Sequence, residues 1–298
     1  MTIRRRRIRL GSIVLIALLL SPPAETFAGE LNRVRDQART SSSDSGSSGG
    51  SSSREDRHGH DDHHHGHDPW HDHHDDGNSL SDDLFGIGFL AALVGVSSPF
   101  WAPPQLLGDD GEKGYFPGHP YDNAVGGLVP DKTPSGAHDT LVVLQGQYGD
   151  DFGGVSHANG RLILESAWRL GIDTEFNYRH EDGSPSDDLW TGDFNVTWRF
   201  AQSEPLQFRT GVGFNWLADR QGEDYGFNFT YGADLFPGDP WVLSSTIDWG
   251  RLGEATLFHN RTTIGVTQNG WGLYTGYDYF NVGGAGLHAW INGIELRF

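Results

Sequence analysis

The sequence predicts an all-β protein: an antiparallel up-and-down transmembrane β-barrel of about ten strands (eight to twelve), preceded by a disordered N-terminal extension and one short apolar helix. Three observations predict it. From about Ala137 onward, apolar and polar residues alternate with a period of two in successive segments, the period of a strand. Aromatic residues collect at the ends of those segments, as Trp190 with Trp198 and Phe200 or Trp241 with Trp249, which suits the interfacial girdles of a membrane barrel. The last stretch, Gly286 to Phe298, places Trp290, Asn292, Ile294, Leu296 and Phe298 on one side and Ile291, Gly293, Glu295 and Arg297 on the other. Charge therefore sits on one face only. In a soluble sandwich the apolar face would turn to a core; in a membrane barrel it turns to lipid, and the charged face lines the lumen.

Composition agrees with a β protein stabilised without disulfides: 42 Gly, 10 Trp, 9 Tyr, 17 Phe and no Cys in 298 residues. The net charge of −19 argues against nucleic acid as a partner, because that binding depends on neutralising phosphates with Lys and Arg. Cations suit so acidic a chain better.

Residues 1–28 read as a secretory signal peptide. Arg4, Arg5, Arg6, Arg7 and Arg9 form its basic region, Ile13 to Leu20 its apolar core, and Thr26-Phe27-Ala28 its cleavage site. The apolar run is too short to span a bilayer. Residues 29–78 read as disordered, with nothing to build a core. Thr40 to Ser53 is mostly Ser and Gly, a flexible composition. After it, His58, His60, His63, His64, His65, His67, His71, His73 and His74 are interleaved with Asp61, Asp62, Asp68, Asp72, Asp75 and Asp76. Imidazole and carboxylate both ligate Zn²⁺, Ni²⁺ or Cu²⁺, and a mobile segment can gather several around one ion. No fixed spacing of a catalytic or structural zinc site occurs, so two readings stand: metal capture, or a solvated polar spacer. No other cofactor is expected.

Residues 79–136 divide in two. Asp82 to Val96 is an apolar run with Ser81, Asp82 and Asp83 at its start, fitting a buried or interfacial helix better than a membrane span. Ser98 to Asp131 holds Pro103, Pro104, Pro117, Pro120 and Pro130 among its prolines, with several glycines, and an extended connection with turns is expected there.

Residues 137–298 form the barrel. Alternating segments run over about 139–148, 157–168, 172–180, 189–200, 206–217, 225–235, 241–250, 255–268, 271–280 and 287–298. Arg169 to Gly171, Ala201 to Pro205, Phe236 to Pro240 and Asn269-Gly270 make short turns, all on the side of the chain terminus, and Asn-Gly is a strong two-residue hairpin signal. The connections at the other end read as mostly longer and acidic. Mid-strand, Phe229 is assigned to lipid and Asn228 to the lumen, so arginine is expected to cost more at 229 than at 228.

The C-terminal pattern of Gly293, Leu296 and Phe298 resembles the terminal signature of bacterial outer-membrane β-barrel proteins, in which a final aromatic preceded by alternating apolar residues is read by the barrel assembly machinery. Ile291 departs from it, standing where that superfamily usually has a polar residue. The resemblance covers roughly the C-terminal half and implies the cell outer membrane as location. It also implies outer-membrane lipid and the assembly machinery as partners, a periplasmic chain terminus with the short turns beside it, and a periplasmic N-terminal segment.

The inward faces carry Arg161, Glu165, Asp173, Glu175, Arg179, Asp193, Arg199, Arg209, Asp234, Asp248, Arg261, Asp278, Glu295 and Arg297. Ten strands enclose a space narrow enough for such side chains to fill, which predicts a paired polar plug, with a small-solute conduit or ligand pocket as the alternatives. Small barrels of this superfamily also include acyl hydrolases and rim proteases. Here His157 beside Ser156, His180 with Glu181 and Asp182, His288, Asp187 and Asp188 are the residues of suitable type near the rim, but they form no recognisable motif. The expected role is structural or surface-interactive, with a metal-binding tail; a pore or an outer-membrane hydrolase is the alternative.

Overall fold

The computed structural model describes residues 29–40, 97–122, 126–129, 136–183 and 185–298. The signal peptide, the His58–His74 tract and the apolar run at Asp82–Val96 lie outside the described residues. Residues 97–102 belong to one unit and the remaining described residues to another. The barrel lies wholly in the second unit, and one helix begins in the first.

Ten strands make the barrel: β1 (Thr140–Asp150), β2 (Val155–Ser166), β3 (Leu170–Glu181), β4 (Asp187–Gln202), β5 (Leu206–Ala218), β6 (Glu223–Gly238), β7 (Trp241–Leu252), β8 (Ala255–Gln268), β9 (Trp271–Val282) and β10 (Ala285–Arg297). Each pairs with its neighbours in sequence, all antiparallel, and β1 pairs with β10 to close the sheet. No strand edge is left open, which removes the unpaired backbone groups that hydrocarbon would not tolerate. The alternation in the sequence thus becomes an inside and an outside. Val212, Trp249 and Ile294 are 54%, 65% and 56% exposed on the outer face, while every expected lumen residue is buried or nearly so. Phe200 departs from the simple pattern. A register shift between Arg199 and Ala201 leaves it covered by the rings of Trp198, Phe208 and Tyr231.

Phe298 marks one mouth, the near mouth, and the β1–β2 connection marks the far mouth. At the near mouth the turns are 167–169, 203–205, 239–240 and 269–270; Arg169 and Asn269 take positive φ there (72° and 53°). At the far mouth the connections are 151–154, 182–186, 219–222, 253–254 and 283–284, so the longer loops expected at that end are absent. The acidic residues read as loop, among them Asp150, Glu181, Asp187, Glu223 and Asp224, instead extend the strands. Loop length does not distinguish the two mouths.

Two segments ahead of the barrel occupy its mouths. The first corrects the expectation that residues from 29 on are disordered: α1 (Glu30–Arg39) is a helix at the far mouth with Leu31, Val34 and Ala38 wholly buried. Ten residues are marginal as an isolated helix in water, so docking stabilises it. The second segment, within residues 109–129, lies at the near mouth. It follows a helix over 97–107, where an extended chain was expected, which contains Pro99, Pro103 and Pro104 and ends at Gly108, whose φ is 64°. Proline φ fits a helix, and Pro99 sits in the first turn where its N–H would have no ladder partner, whereas Pro103 and Pro104 each forgo a ladder bond and crowd the preceding turn. Beyond it the chain is extended as expected, with Tyr115 bridged to Val129 and Phe116 to His138. Asp109 there accepts both terminal nitrogens of Arg169 at 2.8 and 2.5 Å, and Phe116 packs with Leu128, Leu141, Val143 and Ile163.

Candidate functional site

The lumen is built by side chains that alternate inward along every strand and meet across it. Arg261 on β8 is its centre: Nη1 and Nη2 donate to the Glu175 carboxylate of β3 at 2.5 and 2.7 Å, and Nε donates to Asp278 of β9 at 3.0 Å. From there the contacts continue in both directions. His259 Nε2 lies 3.0 Å from Asp278 and its Nδ1 3.4 Å from Asp248, which accepts from Asn228 at 3.2 Å. Asn228 also donates to Asn195, which donates to Asp193 at 2.9 Å. On the other side, Asn177 donates to Glu175 at 2.7 Å and accepts from Asn159 at 2.8 Å. Seven of the ten strands are joined by this one network.

Towards the near mouth the pairs are more local. Arg161 binds Asp173 with two nitrogens at 2.8 and 2.5 Å, Arg199 binds Glu165 at 2.8 Å, Arg209 pairs with Asp234, and Arg297 donates to Glu295 at 2.5 Å. Arg179 is the exception among the arginines, since Thr191 at 2.5 Å and the ring of Phe280 at 4.3 Å replace an acid. Asp193 and Asp248 likewise take asparagine and histidine partners in place of arginine. One space beside these groups is about 30 Å³, bordered by Arg161, Arg209, Asp234, Arg261, Glu295 and Arg297. That is room for about two water molecules.

Sequence reasoning expected a uniformly polar lumen. At the far mouth the inward positions are apolar: Val155, Leu189, Leu217, Leu252, Leu257, Phe280, Val282 and Leu287 form a ring. These residues carry the same period as the charged ones, so the alternation alone gave no signal of the change. Leu31, Val34 and Ala38 of α1, spaced three and four residues apart on one helix face, complete this layer.

Charge holds α1 in place around that layer. Its N-terminal amides from Gly29, Glu30 and Leu31 all donate to the Glu181 carboxylate, which supplies the acceptor and negative charge that a helix start lacks. Arg35 donates to both oxygens of Asp187 at 3.0 Å and pairs with Asp219. Arg39, one turn later, binds Asp219 at 2.9 Å and Asp224 at 2.8 Å. Burial would raise the Asp219 pKa, but hydrogen bonds from Arg39 and from the Gln221 and Gly222 amides outweigh it and hold it at about 2. Gly253, at φ 58°, receives the helix end: a Cβ there would stand 2.2 Å from the Ala38 carbonyl oxygen.

The rim residues singled out for chemistry are dispersed by this arrangement. Glu181 and Asp187 are engaged by α1. His157 points inward, 3.5 Å from Gln147, whereas His180 sits beside Asp188 at 2.7 Å and Asp182 at 3.4 Å. Ser156 stands opposite His180 in register, but the ring nitrogens of His180 face carboxylates.

No family model and no curated protein matches the sequence. Among solved structures the chain is similar to a KdgM porin, with a TM-score of 0.31 and 9% identity over 53% of this chain and 99% of that one. It is similar also to the translocator domain of the autotransporter NalP from Neisseria meningitidis (TM-score 0.25, 14% identity, 56% of this chain and 90% of that one). A third is the Acinetobacter baumannii outer membrane protein Omp33 (TM-score 0.21, 9% identity, 54% and 98%). These likenesses extend to barrel architecture and no further.

Proposed function

We propose that this chain is an outer-membrane β-barrel protein with a structural or surface-interaction role, held in outer-membrane lipid and delivered there by the barrel assembly machinery. The observation that carries the location is the outer face, where Val196, Val212, Phe227, Trp249, Ile264 and Ile294 are exposed around a closed sheet. Water would penalise such a belt, and hydrocarbon would not. The filled lumen favours a structural role over a conduit, since the Arg261 network and the Arg161 and Arg209 pairs occupy the path a solute would take. With Phe298 at the periplasmic mouth, α1 stands at the outer mouth. The periplasmic placement expected for the N-terminal segment therefore does not extend to residues 29–40.

Heat-modifiable gel mobility of the protein in the outer-membrane fraction tests both barrel and location. Deleting Phe298 tests the assembly signal in the same assay, because its amide and carbonyl pair with Val142 and its ring is exposed beyond the last turn. The expected result is several-fold less of the folded, fast-migrating form in the outer membrane and more degraded protein in the periplasm. Unchanged levels would show that the terminal residue is not read.

We further propose that the His58–His74 tract captures divalent transition metal, supported by nine His and six Asp between His58 and Asp76. A neutral imidazole is needed to ligate, so binding weakens as pH falls through about 6. So many ligands without a fixed spacing imply more than one ion per tract and the general affinity order among Zn²⁺, Ni²⁺ and Cu²⁺. Calorimetry on a peptide covering Arg54 to Gly77 at pH 7.5 and 5.5 is the check. Equal binding at both pH values would transfer the role to the carboxylates, and none at pH 7.5 would leave the tract a spacer.

A further inference from the structure

We propose that the far mouth is a binding site for an amphipathic dibasic helix, with α1 as its exchangeable occupant and the α1 of a second copy of the chain as the partner it fits. This goes beyond the envelope role and does not depend on it. The barrel closes through β1 and β10 without any contribution from α1 to the sheet. What remains at the mouth when α1 is set aside is a receptor with two chemical parts. Its floor is apolar, formed by Leu189, Leu217, Leu252, Leu257 and Phe280. Its rim is acidic, with Glu181, Asp187, Asp219 and Asp224 placed to meet an N-terminus and two guanidinium groups.

The match to the helix is specific in spacing. Leu31, Val34 and Ala38 fall on one face, while Arg35 and Arg39, four residues apart, lie together beside it. Swapping the charges or shifting the helix by two residues would put guanidinium groups over leucine side chains. One backbone bond joins the helix to the strand connections, the Glu254 amide donating to Ala38 at 2.8 Å. Side chains and the helix terminus supply the other bonds that hold it.

The arrangement of the chain makes such an occupant replaceable. Sixty-three residues separate Arg39 of the helix from Pro103, so the helix is joined to the barrel only through a long stretch of chain. The advantage of covalent connection falls as the intervening chain lengthens, so the helix of a neighbouring copy at high protein density can compete for the mouth. Ions or small solutes would satisfy the acids but leave the apolar floor open. An aliphatic ligand would do the reverse. The site as built calls for both in one molecule.

The test uses the folded full chain with a protease site placed between Ser42 and Ser53, cut after folding so that α1 stays in place without its tether. A fluorescent peptide of residues 29–40 is then added in excess and its incorporation followed by anisotropy. Saturable exchange is expected in the cut protein and at least tenfold weaker uptake in the uncut one. A peptide carrying Arg35→Gln and Arg39→Gln should compete at least tenfold less well, as should the unaltered peptide against a barrel carrying Asp219→Asn. If the fragment stays bound and no label enters over days, α1 is a fixed part of the fold and the proposal fails. Equal competition by the glutamine peptide would overturn the assigned chemistry even if exchange occurs. Uncut protein mixed between two labelled preparations gives the second reading: energy transfer between copies supports seating in a neighbour, and its absence limits the site to its own helix.

Discussion

Replacing Arg261 by methionine is expected to lower the unfolding free energy by about 3–5 kcal/mol, the cost of leaving a buried charge without its partner. Glu175 and Asp278 are 4% and 3% exposed, and Arg261 supplies three hydrogen bonds to them. Methionine fills a similar length but donates nothing. Asp278 would keep His259 at 3.0 Å, whereas Glu175 would keep only the Asn177 amide at 2.7 Å. The effect should therefore be relieved mainly by a second change at Glu175. In the pair Arg261→Met with Glu175→Met, two buried charges are replaced by apolar groups of comparable volume, and more than half of the loss should return. Denaturant titration of the refolded barrel measures both variants. An unchanged midpoint for Arg261→Met would mean that water reaches this part of the lumen and solvates the acids.

The asymmetry of that experiment reflects what the lumen does. A buried ion pair is poor evidence of net stability, since desolvation cancels much of the attraction. Its consequence is specificity: with seven strands joined through Arg261, Asp278, Asp248, Asn228 and Asn195, a one-residue slip in any pairing would separate several acids from their donors. The same network blocks the axis of the barrel. Register and closure thus have one physical cause, and a pore of this strand number would have to give up both.

The strands were legible in the sequence because a membrane barrel imposes a simple rule on every residue between the two interfaces. Ten segments were located to within a few residues, and the inward charges from Arg161 to Arg297 were assigned to the lumen from the alternation alone. The failures lie where that rule stops. Beyond the lipid belt the strands continue as hydrogen-bonded ladder, but Asp150, Glu181 and Asp187 have no reason there to look different from loop residues. The ring of Val155, Leu217 and Leu252 is apolar on the inward face because α1 covers it, and the covering residues stand more than a hundred positions away. In ELNRVRDQAR only three small or aliphatic residues mark the buried face, and nothing local separates them from a solvated helix or a coil. The partner of each side is the missing information.

Phe229→Arg and Val212→Arg are each expected to cost about 2–4 kcal/mol when the protein is refolded into lipid, the range for arginine on the lipid face near the bilayer midplane. The two residues stand directly opposite each other on β5 and β6, and Val212 is 54% exposed. If that face met water, Val212→Arg would be a surface substitution worth less than about 0.5 kcal/mol, so the size of the effect separates a membrane belt from a soluble exterior. The adjoining residue corrects the sequence-based expectation that arginine costs less at 228. Asn228 is wholly buried, with its amide shared between Asn195 at 3.0 Å and Asp248 at 3.2 Å. Asn228→Arg has an acid in reach but must displace its neighbours, and overpacking of a close-packed interior costs about 1–3 kcal/mol, to which two lost hydrogen bonds add. The two faces should therefore respond alike in magnitude and differ in their dependence on the medium. Transfer from lipid bilayer to detergent micelle should soften the outer-face variants, because a micelle adapts around a charge, and leave Asn228→Arg unchanged. A small cost at 228 in both media would mean that the lumen is loose enough to hydrate an added charge, and the barrel would then have to be regarded as a conduit held shut by its mouths.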